Sequence, residues 1–297
     1  MDVQIIDLHF LDIEQAIAAY LIKTSIGPVL IETGPHSSFP KLEKAIKTAG
    51  YQVEDIKHVF LSHIHLDHAG AAWVFAKHGA KIHLHPFGKR HMHSPEKLMA
   101  SAKRIYKEDM DRLWGQMHPI PEEQLIEVGH ETVITVGDHH FKALHTPGHA
   151  VHHIAWVLGD KIFTGDVAGV KIGSGPVVPP CPPPDINVED WEQSIAILKA
   201  EAPKGLYLTH YGLIEDTDTH LDELLSILHI WADWIKPYYL KKADPQVVTP
   251  KFQAFVQGQL RAKGVDEMGL QQYEAANPSW MSVAGLFRYW HKKLNPS

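Results

Sequence analysis

Four side chains able to bind a metal ion fall within six residues at His63-Ile64-His65-Leu66-Asp67-His68, directly after the short apolar run His58-Val59-Phe60-Leu61. No other stretch constrains the backbone as much. If the run continued as a strand, residues 63, 65 and 67 would project from one face and His68 from the other, because the side-chain period is two. All four converge only in a loop, and a helix is predicted to begin near Ala69. The run 58–61 shows little alternation, as expected of a strand buried on both faces with helices packed nearby. A loop at the end of such a strand is where a rigid scaffold places functional side chains.

What the rest of the chain can bring to this loop decides whether it serves a metal. His149 in Thr146-Pro147-Gly148-His149, Asp166 in Phe163-Thr164-Gly165-Asp166 and His210 in Leu208-Thr209-His210-Tyr211 each follow a strand-like segment. Strands are predicted at 7–10, 18–22 and 29–32, closed by the turn Thr33-Gly34-Pro35, with a helix over Phe39 to Thr48 ended by Gly50. A strand at 81–84 precedes a helical insertion at about 86–118, expected to overhang a neighbouring part of the fold. Segments at 132–135, 141–144, 154–157 and 161–164 form a β meander with turns at Gly137-Asp138 and Gly159-Asp160. The six prolines between Gly173 and Asp185 make an extended loop. A helix over Val188 to Ala200 and a strand at 205–209 follow. From Thr219 onward the pattern is helical, with turns expected near Pro237, Pro245 and Pro250 and breaks at Gly264 and Pro278. The predicted division is a catalytic domain at 1–221 and a helical accessory region at 222–297.

Composition narrows the partners. A formal net charge of -7, with no long lysine or arginine run, argues against nucleic acid. No apolar stretch approaches the roughly 20 residues of a membrane-spanning helix, so no membrane is expected. The single cysteine, Cys181, has no partner within the chain, and Met1-Asp2-Val3-Gln4-Ile5 lacks the basic and apolar regions of a signal peptide. A reducing, cytoplasmic setting is expected. Histidine is the outlier with 23 copies, and imidazole is the commonest metal ligand.

Taken in chain order, His63-x-His65-x-Asp67-His68 followed by His149, Asp166 and His210 resembles the motif pattern of the metallo-β-lactamase superfamily, over roughly residues 3 to 215. The Thr-Gly-Pro and Thr-Pro-Gly-His turns also occur at the family's positions. The resemblance implies an α/β fold: a four-layer αββα sandwich with a C-terminal helical extension and the metals at one edge of the sheets. It implies two divalent metal ions, zinc foremost, with iron or manganese as alternatives. His63, His65 and His149 resemble the first site, Asp67, His68 and His210 the second, and Asp166 the bridging carboxylate. Three imidazoles leave a position open for water, while the second site mixes imidazole with harder carboxylate oxygen. Two ions bridged in this way would sit about 3.5 to 4 Å apart and clamp a hydroxide between them. On this reading the hydroxide attacks a carbonyl carbon, Asp67 orients it and takes its proton, and Tyr211 donates to the oxyanion or leaving group.

The same centre serves several reactions across the superfamily, so ligands leave the substrate open. The expected substrate is a small-molecule thioester, ester or lactone. N-acyl homoserine lactone lactonase and β-lactamase-type amide hydrolase are the alternatives, the former because Ser62 to Gly70 resembles the quorum-quenching lactonases. Glyoxalase II shares a C-terminal helical region, but the basic residues its family uses for glutathione are not recognisable. Charge balance argues against a phosphodiesterase, His65 against a flavodiiron oxidoreductase, and the number of ligands against a closed structural site. His153 is expected either to orient a ligand or to lie in a solvated turn. His139 and His140 are expected at the surface, and His83, His85, His91 and His93 outside the centre. Trp231, Trp234, Tyr238, Tyr239, Trp280 and Trp290 are expected in the core or at a homodimer contact, with an apolar pocket lining as the alternative.

Overall fold

The apolar runs resolve into two six-stranded sheets in the computed structural model, which describes residues 2–295. The first sheet holds, in spatial order, β1 (Val3–Asp7), β2 (Ala18–Thr24), β3 (Gly27–Ile31), β4 (His58–Phe60), β5 (Lys81–Leu84) and β6 (Leu125–Glu127). Its first three strands pair antiparallel, and β3 to β6 run parallel. The second sheet is the expected meander, β7 (Val133–Val136), β8 (His139–His145), β9 (Ile154–Leu158) and β10 (Lys161–Val170). β11 (Gly205–His210) joins β10 in parallel, and β12 (Gly212–Ile214) returns antiparallel. Gly137 and Gly159 adopt φ of 59° and 63° at the meander turns, where a Cβ would be strained.

Large side chains fill the space between the sheets. Tyr20, Phe60, Phe141, Trp156, Phe163 and Tyr207 interlock there, with Phe60 stacked on Phe141 at 4.3 Å between ring centroids. The Tyr20 hydroxyl crosses the gap to donate to the Leu208 carbonyl. Over the outer face of the first sheet lie α1 (Phe39–Thr48), α2 (Leu66–Ala69), α3 (Ala72–Lys77) and an insertion of α4 (Pro86–His93), α5 (Glu96–Tyr106) and α6 (Met110–Leu113). Over the second lie α7 (Val188–Ala200), α8 (Thr217–Leu240), α9 (Pro245–Ala262), α10 (Glu267–Ala276) and α11 (Ser279–Leu294). The result is the four-layer αββα order. Among the described residues no helix is long and apolar enough to cross a membrane.

The C-terminal helices share one apolar cluster with the second sheet. Trp191 of α7, Leu221 and Trp231 of α8, Phe252 of α9 and Leu286 of α11 are all buried in it. The expected boundary at 221 therefore falls inside a continuous helix. Trp231 and Trp290 are core residues, and Trp234, Tyr238 and Tyr239 pack partly buried against them. Trp280 alone of the six tail aromatics reaches the cavity described below.

Several boundaries differ from the sequence reading. The strand expected at 7–10 ends at Asp7, whose carboxylate accepts from the backbone N of His9 at 2.9 Å and of Gln15 at 2.8 Å and so closes a turn. A 3-10 turn at Phe10–Asp12 follows. Pro237 and Pro250 lie inside α8 and α9 rather than at turns. Both are exposed, so the carbonyl each leaves unpaired faces water. β6 and β12 have no counterpart in the sequence reading: each has three residues, too few to show a period.

Candidate metal centre

The backbone from Leu61 to Gly70 is held from both sheets. Leu61 O accepts from Trp156 Nε1 at 3.0 Å, and Ser62 O accepts from the backbone N of Ile154 at 2.7 Å, pinning the end of β4 to β9. His63 and His65 occupy the extended stretch that follows. The helix then begins at Leu66, earlier than the expected Ala69, so Asp67 and His68 sit on a helical turn and not in a loop. His65 O causes this by accepting from the backbone N of His68 at 3.0 Å and of Ala69 at 2.9 Å. Thr33 locks the turn, donating from its backbone N and its Oγ1 to His68 O at 2.8 and 2.9 Å. Gly70 permits that approach, since an added Cβ would stand 2.5 Å from Leu66 O and 3.0 Å from Pro35 Cα.

Every candidate ligand from the sequence arrives at this point. Nε2 of His63 lies 2.9 Å from Nδ1 of His65, which lies 3.1 Å from Nε2 of His149. Asp166 stands between two sets of imidazoles: its Oδ2 is 3.2 Å from His149 Nε2, and its Oδ1 is 3.2 Å from His68 Nε2 and 3.3 Å from His210 Nε2. Asp67 Oδ2 is 3.6 Å from both His68 Nε2 and His210 Nε2. Three overlapping groups converge enough to hold an ion: His63-His65-His149, His63-His68-Asp166 and Asp67-His68-His210. Atoms held about 2.0–2.1 Å from one ion at tetrahedral angles stand roughly 3.3 Å apart, matching these spacings. His68 Nε2, Asp166 Oδ1 and His210 Nε2 are buried with no hydrogen-bond partner, an arrangement that is costly unless a cation meets them. The donor set fits divalent metal binding.

Backbone carbonyls aim two of the imidazoles. His149 Nδ1 donates to Pro180 O at 2.9 Å and His210 Nδ1 to Ala16 O at 2.6 Å, which leaves each Nε2 lone pair pointing at the centre. Burial pushes His63 well below the usual histidine range and His149 down to about 4, so both are neutral at neutral pH. At His68 and His210 burial acts the same way, but nearby carboxylates together outweigh it, Asp166, Asp67 and Glu32 raising His68 and Asp166 with Asp67 taking His210 to about 9. Burial would also keep Asp67 protonated, yet His68 and His210 hold it at about 2. The buried Asp166 and the half-buried Asp67 carboxylates thus demand positive charge, met by protons when no metal is bound and by metal ions when the centre is loaded.

His153 is fully buried and orients Asp166. The backbone N–H of Asp166 donates to His153 Nε2 at 3.2 Å, so the ring proton sits on Nδ1, which faces Thr146 Oγ1 at 2.8 Å. Gly165, at φ 50°, leaves room for this ring: an added Cβ would stand 2.7 Å from His153 Nε2 and 2.4 Å from Ser62 Oγ. β10 changes register on either side of Gly165, which turns Asp166 into the centre. His153→Ala should strand the Asp166 N–H, costing about 1–3 kcal/mol and 10- to 100-fold in metal affinity. His153→Gln, which restores an acceptor, should recover most of both. Thermal melts and metal titrations check this, and equal affinities in all three proteins would remove His153 from the centre.

Tyr211 is held apart. Its ring packs partly buried against the inter-sheet cluster, and burial together with Asp7 and Glu14 pushes its hydroxyl up to about 12. The cavity over the centre is lined by other residues. Three histidines of the first sheet and the insertion have local partners: His83 is buried against His58 at 2.9 Å and the Phe60 ring, His85 stacks on His145 at 4.2 Å, and His93 Nδ1 bonds Ile120 O at 3.1 Å. His140 is exposed and His139 half-buried beside Asp138. The cavity, about 600 Å³, opens onto His65, Asp67 and Asp166 and is walled by α5 of the insertion, the 3-10 turn, the proline-rich loop and α10 to α11. These walls escape a reading of the sequence. Their one local signal is the stripe Leu98, Ala102, Ile105 and Tyr106 on a single face of α5.

Residues 13–210, most of the chain, match the family model described as the metallo-beta-lactamase superfamily. The chain belongs to the metallo-β-lactamase superfamily. Membership makes it a metal-dependent hydrolase. A relative in Sulfurisphaera tokodaii, metallo-beta-lactamase fold-containing protein ST1585, is 28% identical over 184 residues, 59% of this chain and 68% of that protein. An N-acyl homoserine lactonase from a Bacillus species is 26% identical over 180 residues, 51% of this chain and 64% of the lactonase. The chain thus spans a little under two thirds of that enzyme. TTHA1429 from Thermus thermophilus, a metallo-beta-lactamase family protein, superimposes with a TM-score of 0.69 at 19% identity, over 98% of this chain and 93% of its own. This last likeness shows that the superfamily fold extends over the C-terminal helices as well.

Proposed function

We propose that this superfamily member hydrolyses a carboxylic ester, thioester or lactone at a centre of two divalent ions, zinc foremost. The observation that carries the reading is Asp166, whose Oδ2 faces His149 while its Oδ1 faces His68 and His210. One carboxylate placed between two imidazole sets suits a shared ligand, with His63, His65 and His149 on one side and Asp67, His68 and His210 on the other. Bound there, the ions would supply a water acidified to a pKa of about 7 and polarise a carbonyl oxygen. Asp67 borders the cavity and is held ionised by His68 and His210, so it can accept a hydrogen bond from the attacking water and take its proton. The Pro180 and Ala16 carbonyls keep His149 and His210 aimed. Tyr211 takes no step in this reading, since it stands outside the cavity. The likeness to an N-acyl homoserine lactonase supports a lactone as one member of the substrate class.

The test uses the full chain, stripped with a chelator and then reloaded with zinc, manganese or iron. Aryl esters, acyl thioesters, lactones, a chromogenic β-lactam and a phosphodiester are assayed in parallel. Reloading should restore hydrolysis of the esters, thioesters or lactones by roughly 10³-fold, with about two metal equivalents bound at full activity. Turnover of the phosphodiester or β-lactam alone, or saturation at one equivalent, would sink the reading.

A further inference from the structure

The cavity over the centre joins two segments that are far apart in sequence. Tyr106 at the end of α5 meets Trp280 of α11 edge to face at 5.8 Å, and its hydroxyl approaches the Met281 sulfur at 3.9 Å. On its other side Tyr106 meets Trp114 at 5.1 Å, and Trp114 stacks on Phe10 of the 3-10 turn at 5.6 Å. This line of aromatic rings roofs the cavity from the insertion to the tail and to the N-terminal turn. Leu98 and Ile105 of α5 and Pro182 and Pro183 of the proline-rich loop line the same cavity, and His65, Asp67 and Asp166 give it a polar end.

Charge along the lining is equally selective. Among the described residues that line the cavity, Arg112 is the one lysine or arginine, and its guanidinium is already paired with Asp109 at 3.0 Å. Glu274 is occupied by Ser279, accepting from its backbone N at 3.0 Å and its Oγ at 2.7 Å. A phosphorylated or carboxylated carrier arm would find no unpaired cation here and would meet the carboxylates of Asp67 and Asp166. A hydrocarbon arm meets mostly apolar walls. At about 600 Å³ the cavity lies within the roughly 300–1,000 Å³ of small-molecule sites.

We infer that the substrate carries a neutral, medium-length apolar acyl chain, seated between α5 and α11 with its carbonyl at Asp67 and Asp166. The inference rests on the carbonyl-hydrolysis reading above for its chemistry, but the seat itself can be tested by binding alone. In the zinc-loaded full chain, the affinities of acetate, butyrate, octanoate and tetradecanoate are measured by calorimetry. Each added methylene should strengthen binding about fourfold until the cavity is full, after which further carbons add nothing.

Ala102→Trp, which places an indole in the cavity, should weaken octanoate at least tenfold and leave acetate unchanged. Trp280→Ala, at a partly exposed position on the opposite wall, should move the plateau to longer chains. Circular dichroism and metal content confirm that each variant is folded and loaded. Octanoate binding no tighter than acetate, or untouched by Ala102→Trp in a folded, loaded protein, would overturn the seat. Chain-length-dependent binding without turnover of any octanoyl ester would instead leave the seat standing and overturn the hydrolysis reading.

Discussion

Asp166→Ala should lower kcat/KM for ester or lactone hydrolysis by roughly three orders of magnitude and leave the protein with far less metal than the wild type. The size of the effect follows from position. Asp166 is the carboxylate within 3.3 Å of imidazoles in both proposed sites, through Oδ2 to His149 and Oδ1 to His68 and His210. Its removal takes a shared negative charge from two cations at once, in a buried region where little water can replace it. Asp166→Asn keeps the shape and one oxygen but not the charge, and should fall almost as far. The scaffold should survive either change, because the backbone of Asp166 is anchored through its N–H to His153 independently of the side chain. Metal analysis and steady-state kinetics, with a melt in chelator as the control for folding, decide the matter. Unchanged metal content and activity in Asp166→Ala would rule out the shared-ligand arrangement.

Gly285→Ala should destabilise the protein by about 3 kcal/mol and lower its melting temperature by about 5 °C. The added Cβ would stand 1.9 Å from Cys181 O and 2.8 Å from Pro182 C, so α11 or the proline-rich loop must shift. Neither can yield easily. Asn277 Nδ2 donates to Pro179 O at 3.1 Å, and the backbone N of Cys181 donates to Ser282 Oγ at 3.4 Å, tying the same loop to the same part of the tail. On its other side the loop holds His149 through Pro180 O at 2.9 Å. A single methyl group on a tail helix should therefore reach a candidate metal ligand through one loop and cost about tenfold in metal affinity or kcat/KM as well. Differential scanning calorimetry and metal titration of the variant test both parts. A melt and affinity equal to the wild type would show that α11 does not brace the loop.

How much of this is legible in the sequence varies with the range of the interactions involved. Helices such as α1 and α7 match their predicted spans because an amphipathic stripe, or an Asn187 cap accepting from the Asp190 N–H, is local information. The start of α2 reads too late because it depends on His65 O and on Thr33, more than thirty residues upstream. Pro237 and Pro250 read as turns because proline usually stops a helix, and only their exposed positions make them tolerable there. Tyr211 reads as a donor because it adjoins His210, but it lies in the turn between β11 and β12, and its ring packs against the inter-sheet cluster.

The sequence by itself determined the superfamily, the four layers and the identity of the side chains that meet at the centre, since ligand chemistry and strand-end placement are written in residue type and spacing. Tertiary structure alone decided which oxygen of Asp166 faces which imidazole, that His153 sets its orientation, and that a helical insertion and a C-terminal tail close one apolar cavity above it. The physical reason is distance along the chain. Tyr106 and Trp280 acquire a common function only when two sheets bring their helices together, and no period or motif in either segment encodes the other.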